Sequence, residues 1–584
     1  MTQSRVRRPG LTLRHWAGML VTSFAIVALP ATEGAGQTVS PPQTFGAVTS
    51  DIVPDPSVKY GSLPNGMRYA LRRNDLPPGA IAIRLSLRAG SLNEGEGEQG
   101  LFHFIEHMAF NGSAAVPEGE LVKRLARLGL AFGPDANAIT GQKFTTYALD
   151  LPRSSEDIVD ESLFLLREIA GELSFDPAAV DRERGVILAE GRRGDTFERR
   201  RRDQLLAFLM PGAYAASRMP AGDPDVVARA TPSGLRSLYD RFYRPERATL
   251  VVVGDFDPAD MEARISVAFA DWRGKGAPGQ DAVPVYSPQL RKPAASVFTH
   301  HDGGDEISVY SLTPYHKFPD TIAGQQERIL LALGIGAVNR RLAAVSAAEN
   351  PPYRSAQVFA SDLLKSANYA GGSASVTPGQ WKRGLEALEQ TWRSALVHGF
   401  TQAEIDQQKA ALRSALANAA RRETTRPTAT LAASLLSAIQ GDEVFTAPSF
   451  DLALFDGWAS GATPERVHET FGKWMKRDAP LLFLSSSIDQ PNAEKQIVNA
   501  WVRSESLKVD RPKAKTVARF GYTDFGAPGK VASDRRVADL QARAITFDNN
   551  VRLNLKKTSF QQGSDLVSLT VGHGAIALED APFG

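Results

Sequence analysis

The 584-residue chain contains no cysteine. That absence excludes disulfides and thiolate ligands, so any metal it holds must be bound by histidine and carboxylate. An excess of one charge is lacking too. Lys and Arg number 67 against 65 Asp and Glu, a formal net charge of +2, which gives no electrostatic footprint for a nucleic-acid partner. Long apolar runs are also missing. The clearest, Trp16 to Leu29, is too short and too interrupted for a membrane span. It follows Arg5, Arg7, Arg8 and Arg14 and precedes small residues from Ala31 to Gly36, an order that reads as an export signal over residues 1–36. The mature chain is therefore expected in the bacterial periplasm, without stable membrane insertion.

Histidine is scarce, with nine in the chain, yet two of them fall in His103-Phe104-Ile105-Glu106-His107. Side chains at i, i+3 and i+4 share one helical face, so a helix here aims two imidazoles and a carboxylate at one point. His103 and His107 can then grip one metal ion, while Glu106 stands beside an open coordination position where it can take a proton from water. The alternative is a surface helix carrying two solvated histidines. Leu101, Phe102, Phe104, Ile105, Met108, Ala109 and Phe110 argue against it, because a helix buried nearly all round makes an idle polar triplet costly.

Such a site needs a third protein ligand. Asp176-Pro177 is a good helix start, and along the following helix Glu183, Val186, Ile187 and Glu190 lie at i, i+3, i+4 and i+7. Two carboxylates thus end an otherwise apolar stripe, although glutamates on a solvated helix face would look the same.

Together these segments resemble the inverted zinc-binding signature of the pitrilysin, or insulinase, family of zinc metallopeptidases. The resemblance implies one Zn2+ per chain held by His103, His107 and Glu190. It also implies catalytic roles for Glu106, as general base, and for Glu183, which orients a ligand histidine. The interval from His107 to Glu190 is a few residues longer than is typical of the family, which implies an insertion between them. Gly133 to Thr140, with Thr145-Thr146-Tyr147 and Asp150-Leu151-Pro152, is similar to the family's edge strand. Asn137 and Ala138 are then the expected substrate-binding residues, pairing with an extended peptide by main-chain hydrogen bonds. Lys143 and Phe144 depart from the acidic residues often found there. The implied function is hydrolysis of extended peptides or unfolded protein segments. A catalytically inactive peptide-binding or assembly subunit is the alternative.

The implied fold is α+β, with repeated domains that each pack a mostly antiparallel sheet against helices. Glycine- and proline-rich breaks divide the chain into a catalytic domain at 37–273, a linker at 274–294 and a homologous non-catalytic domain at 295–510. A second linker at 511–537 leads to the incomplete start of a third domain at 538–584. That last expectation rests on an internal repeat: Leu63 to Arg73 aligns with Phe547 to Lys557, and Leu85, Leu87 and Gly90 with Leu569, Val571 and Gly574. A second chain, or a missing C-terminal half, would then complete a chamber over the zinc. Arg218 to Gly222 and the run Leu250 to Phe256 read as structural. Arg192, Arg193 and Arg199 to Arg202 read as a solvated continuation of the ligand helix, with acidic-peptide docking as the alternative. His300-His301-Asp302 reads as a surface loop whose adjacent side chains diverge.

Overall fold

Residues Ile81–Leu87 and Ala248–Gly254 are buried at every position, as strands are when both faces of their sheet are covered. They form the centre of the first sheet in this computed structural model, which describes residues 50–282, 286–288, 292–511, 522–559 and 565–572. The expected export signal and the repeat position at Gly574 lie outside the described residues. The strands are β1 (Val58–Ser62), β2 (Arg68–Arg73), β3 (Ile81–Leu87), β4 (Ala136–Thr140), β5 (Thr145–Leu151) and β6 (Ala248–Gly254), in the order β1-β2-β6-β3-β5-β4. Only β2 and β6 run parallel.

A second sheet comprises β7 (Ala294–Thr299), β8 (Glu306–Pro314), β9 (Ser355–Leu363), β10 (Ala367–Ser375) and β11 (Leu481–Ser486), in the order β7-β11-β8-β10-β9. Only β7 and β11 are parallel. From β2 onward, the first sheet repeats this arrangement strand for strand: first, last, second, fourth, third. The fold is therefore α+β and internally repeated.

The two halves are laced together by an exchange of helices. One face of the first sheet packs on helices of its own half, including Leu101–Met108. The other face, at Ala70, Ala82, Val251 and Val253, is covered by Leu431, Leu435, Leu436 and Ile439 of helix Thr428–Gln440, which belongs to the second half. Conversely, Leu209 at the end of helix Phe197–Leu209, with Met210 and Ala213, packs against Tyr310, Leu481 and Phe483 of the second sheet. Each buried aliphatic side chain contributes about 1.5–3 kcal/mol, so the halves are divided in sequence but not in packing. The start of the expected linker is docked as well, since Arg247 donates to Asp281 Oδ1 at 2.7 Å and Gly279 N to Arg241 O at 2.9 Å. Helix Ile322–Ser346 is long and apolar enough to cross a membrane, but it packs Leu331, Ile335, Val338 and Leu342 into the core of the second half.

A third, antiparallel sheet joins β12 (Val531–Val537), β13 (Ala542–Phe547) and β14 (Arg552–Leu555). Its first strand occupies part of the segment expected to be linker. The repeat seen in the sequence reaches the hydrogen bonds. Leu63 N donates to Met67 O and Gly66 N to Leu63 O, and Phe547 N donates to Val551 O and Asn550 N to Phe547 O at the same offset. Gly66 and Asn550 both have positive φ, a conformation glycine and asparagine tolerate best. Leu553, Leu555, Leu566, Leu569 and Val571 are exposed. Limited proteolysis should cut first within residues 522–530, which are exposed and carry no helix or strand, and leave a core ending near Asp510. Equal protease resistance of the third sheet and the first, in a monomeric sample, would contradict this.

Candidate metal centre

Helix Leu101–Met108 begins at Gly100, whose φ of 96° favours glycine. A side chain at Gly222 would collide with the Gly100 backbone, so the turn at Arg218 to Gly222 sits directly on the helix start. Glu94 closes that start from the other side. Its two carboxylate oxygens accept the backbone N–H groups of Gly100 and Phe102, each at 2.9 Å, two of the donors a helix N-terminus leaves unpaired. Burial pushes the Glu94 carboxyl up to about 8, against the pull of those N–H groups and of Arg218. Arg218 is itself buried and donates to the Glu94 carbonyl at 3.0 Å and to Glu96 at 2.6 Å. The residues expected to be structural therefore fix the helix that carries the motif.

Along this helix the apolar residues are buried, and His103, Glu106 and His107 alone are partly open. The imidazoles stand edge to face, with centroids 4.8 Å apart. The ligand helix, Pro177–Arg193, starts as expected, with Asp176 accepting from Ala178 N and Ala179 N. It carries Glu190 Oε2 to 3.3 Å from His107 Nε2 and 3.9 Å from His103 Nε2. One ligand atom from each of the three residues lies within 4.8 Å of the others, a donor set of two neutral-capable imidazoles and a carboxylate that suits zinc. Val186, expected within an apolar stripe, is instead 48% exposed and Glu190 56% exposed. The stripe faces the open side of the site, and only Ile187 is buried in the core.

Glu183 accepts from His107 Nδ1 at 2.7 Å and from the side chain of Asn111 at 3.1 Å. The His107 bond lowers the Glu183 carboxyl. Burial alone would lower His107, but the Glu183 hydrogen bond, with the charges of Glu183, Glu106 and Glu190, raises it. His103 is lowered by burial and by His107. Glu106 is raised, chiefly by burial, although it accepts the Thr140 hydroxyl at 2.5 Å.

Thr140 ends β4, the edge of the first sheet. Asp150 N bonds Asp135 O at 2.7 Å and Gly141 N bonds Phe144 O at 2.8 Å, so odd-numbered residues of β4 pair inward and the even ones turn their main-chain groups outward. Ala138 thus presents its N–H and C=O at the open edge. Asn137 Oδ1 accepts that N–H at 2.9 Å, which places both expected substrate-binding residues at the edge.

Two expectations are corrected. Arg192 and Arg193 close the ligand helix, but Arg199 to Arg202 do not continue it, since it ends at Arg193. Helix Phe197–Leu209 begins anew with Thr196 accepting from Arg199 N. Four of its arginines meet acids: Arg199 and Arg202 meet Asp203, Arg200 meets Asp195 and Arg201 meets Glu306. His300, His301 and Asp302 do lie on a surface turn, but their side chains converge, with the two rings stacked at 4.7 Å. Sequence reasoning missed Asn111, Thr140 and Glu94 as supports of the site. Asn111 had a signal, since it lies one helical turn beyond His107.

Comparisons with known proteins place these observations in a family. Residues 70–216 match the description Insulinase (Peptidase family M16), and residues 229–412 match Peptidase M16 inactive domain. The chain is 34% identical over 203 residues to a Haemophilus influenzae protein named Probable zinc protease PqqL, covering 35% of this chain and 22% of that protein. For the Escherichia coli protein of the same name the figures are 33% over 218 residues, covering 37% and 23%. The crystal structure of the periplasmic protease PqqL from Escherichia coli has a TM-score of 0.74 at 22% identity, covering 87% of this chain and 56% of that one. The first half of the same protein gives 0.71 at 23% identity, covering 80% and 100%. The matched region is thus about a quarter of the curated relatives' length, and the chain spans about half of the full PqqL crystal chain.

Replacing Glu94 by Ala leaves two buried donors unpaired and should cost about 1–3 kcal/mol in chemical denaturation. Replacing Asn111 by Ala should weaken zinc binding about tenfold in chelator competition, because Glu183 loses its second anchor. Unchanged zinc affinity in Asn111→Ala would show that Glu183 needs no such anchor.

Proposed function

This chain belongs to the pitrilysin, or insulinase, family of peptidases, and we propose from that premise that it is a zinc-dependent endopeptidase acting on extended peptides or unfolded protein segments. The observation that carries the reading is the convergence of His103, His107 and Glu190 beside Glu106, on two helices separated in sequence. These three side chains would hold one zinc ion. Zinc bound there would polarise the scissile carbonyl and bring the pKa of its water to about 7.

The chain's own residues supply the rest. Glu183 holds the proton on Nδ1 of His107, which leaves Nε2 free to ligate. Glu106 is the general base that takes the proton of the attacking water and then delivers it to the leaving amine. Thr140 fixes the Glu106 carboxylate and ties the proton carrier to the edge strand. An extended peptide would pair with the outward main-chain groups of Ala138, displacing the Asn137 side chain from the Ala138 N–H.

The periplasmic relative and the basic, apolar start of the chain support export to the periplasm. The repeated hairpin supports a third domain beginning in the third sheet. A second chain or further domain would then close a chamber over the zinc. An inactive assembly subunit is the weaker reading, because such a subunit has no need for a complete ligand set with its general base. Glu106→Gln should keep one zinc per chain and lower kcat/KM for peptide hydrolysis by about 10²- to 10⁴-fold. Activity within a few-fold of wild type would remove Glu106 from the mechanism.

A further inference from the structure

The edge strand has a second face, turned away from the zinc. Ala136, Ala138 and Thr140 share the face that packs on the motif helix, whereas Asn137 and Ile139 alternate to the other side. There helix Thr428–Gln440 packs over β3 and β6 at the centre of the sheet and reaches β5 through Gln440. Beside it lies a cavity of about 210 Å³, bounded by Ile139, Thr146 and Ala148 on the sheet and by Ala433, Leu436 and Gln440 on the helix. Ile139 is 66% exposed at its rim. An apolar side chain left open on an unpaired sheet edge invites aggregation, so its position calls for a partner.

Two of the polar side chains at this cavity, Arg84 and Gln440, are already engaged. Arg84 donates to Leu149 O at 3.1 Å and to Asp150 Oδ1 at 2.6 Å. The Gln440 amide donates to Ser86 Oγ at 2.9 Å and to Thr146 Oγ1 at 3.1 Å. What remains is an apolar hollow with its charge neutralised. It is smaller than the ~300–1,000 Å³ of a small-molecule site, but on the scale of one side chain.

We propose that this cavity is a specificity subsite that receives one large aliphatic or aromatic side chain of a peptide joined to β4. The inference rests on the proposed peptide pairing and adds what the second half contributes to it. A strand beside β4 lies ~4.8 Å away and alternates its side chains in the same way. Every other residue therefore leans toward helix Thr428–Gln440, and the residues between lean toward the motif helix. One such residue meets the cavity, so the preference falls at a single fixed position along the peptide.

The test uses zinc-loaded full-length Glu106→Gln, which reads binding without turnover, and a set of extended peptides carrying Leu or Ala at each position in turn. At one position Leu should bind at least about tenfold more tightly than Ala. Ala433→Trp, which fills the cavity from the helix, should reduce that difference to within about twofold. Ser437→Trp is a second filling variant, should Ala433→Trp fail to fold as judged by zinc content and thermal unfolding. Peptides that bind with no positional preference, or a preference that survives the filled cavity, overturn the subsite. If the preference is present and lost as expected while wild type cleaves none of the peptides, the subsite stands and the peptidase reading falls.

Discussion

The 2.7 Å hydrogen bond between His107 Nδ1 and Glu183 Oε1 is the constraint on which the site depends. It joins two helices that are 76 residues apart at this contact, and it decides which nitrogen of His107 faces Glu190. A hydrogen bond between charged or polarised partners contributes about 1.5–3 kcal/mol when partly buried. That is enough to hold a rotamer and a tautomer, but not two helices. The helices are held by the apolar residues around the motif, and by Gly100, Gly222, Glu94 and Arg218, which fix where the motif helix starts. The polar site is thus set by apolar packing that the polar groups do not themselves supply.

The repeated architecture extends that support. Each half lends a helix to the outer face of the other's sheet, so the sheet that carries β4 is sandwiched between its own helices and one from the second half. The match to the description of an inactive domain covers residues 229–412, most of them in the second half, and the first sheet is nonetheless incomplete without that half. The two halves are in this sense one packed body, and the covering helix brings Leu436 and Gln440 near the edge strand.

How much of this the sequence disclosed follows from distance along the chain. The His103, Glu106 and His107 triplet was legible because five residues of one helix determine its geometry. Glu183 and Glu190 were both visible as carboxylates on one helix face, but helical phase could not rank them; the family resemblance did, and the structure brings Glu183 to Nδ1 and Glu190 to Nε2 of His107. The hairpin at Leu63 to Met67 and its copy at Phe547 to Val551 were legible because a tight turn leaves a local residue pattern. Thr140 and Glu94 gave no signal, since each reaches its partner across a turn or between elements. The convergence of His300, His301 and Asp302 was misread because alternation holds for strands and helices and fails in a turn. The exchange of helices Phe197–Leu209 and Thr428–Gln440 was invisible, because an amphipathic face does not name the sheet it will cover.

The central claim is that His103, His107 and Glu190 form the metal site, with Glu183 behind His107. An anomalous difference map recorded at the zinc absorption edge, from crystals of this chain grown with zinc, tests it most directly. The account predicts one strong peak per chain, with the two imidazole nitrogens and a Glu190 oxygen at ~2.0–2.2 Å and Glu183 still bonded to His107 Nδ1. A peak ligated by Glu183 in place of Glu190, or one at His300, His301 and Asp302 with none here, would contradict it.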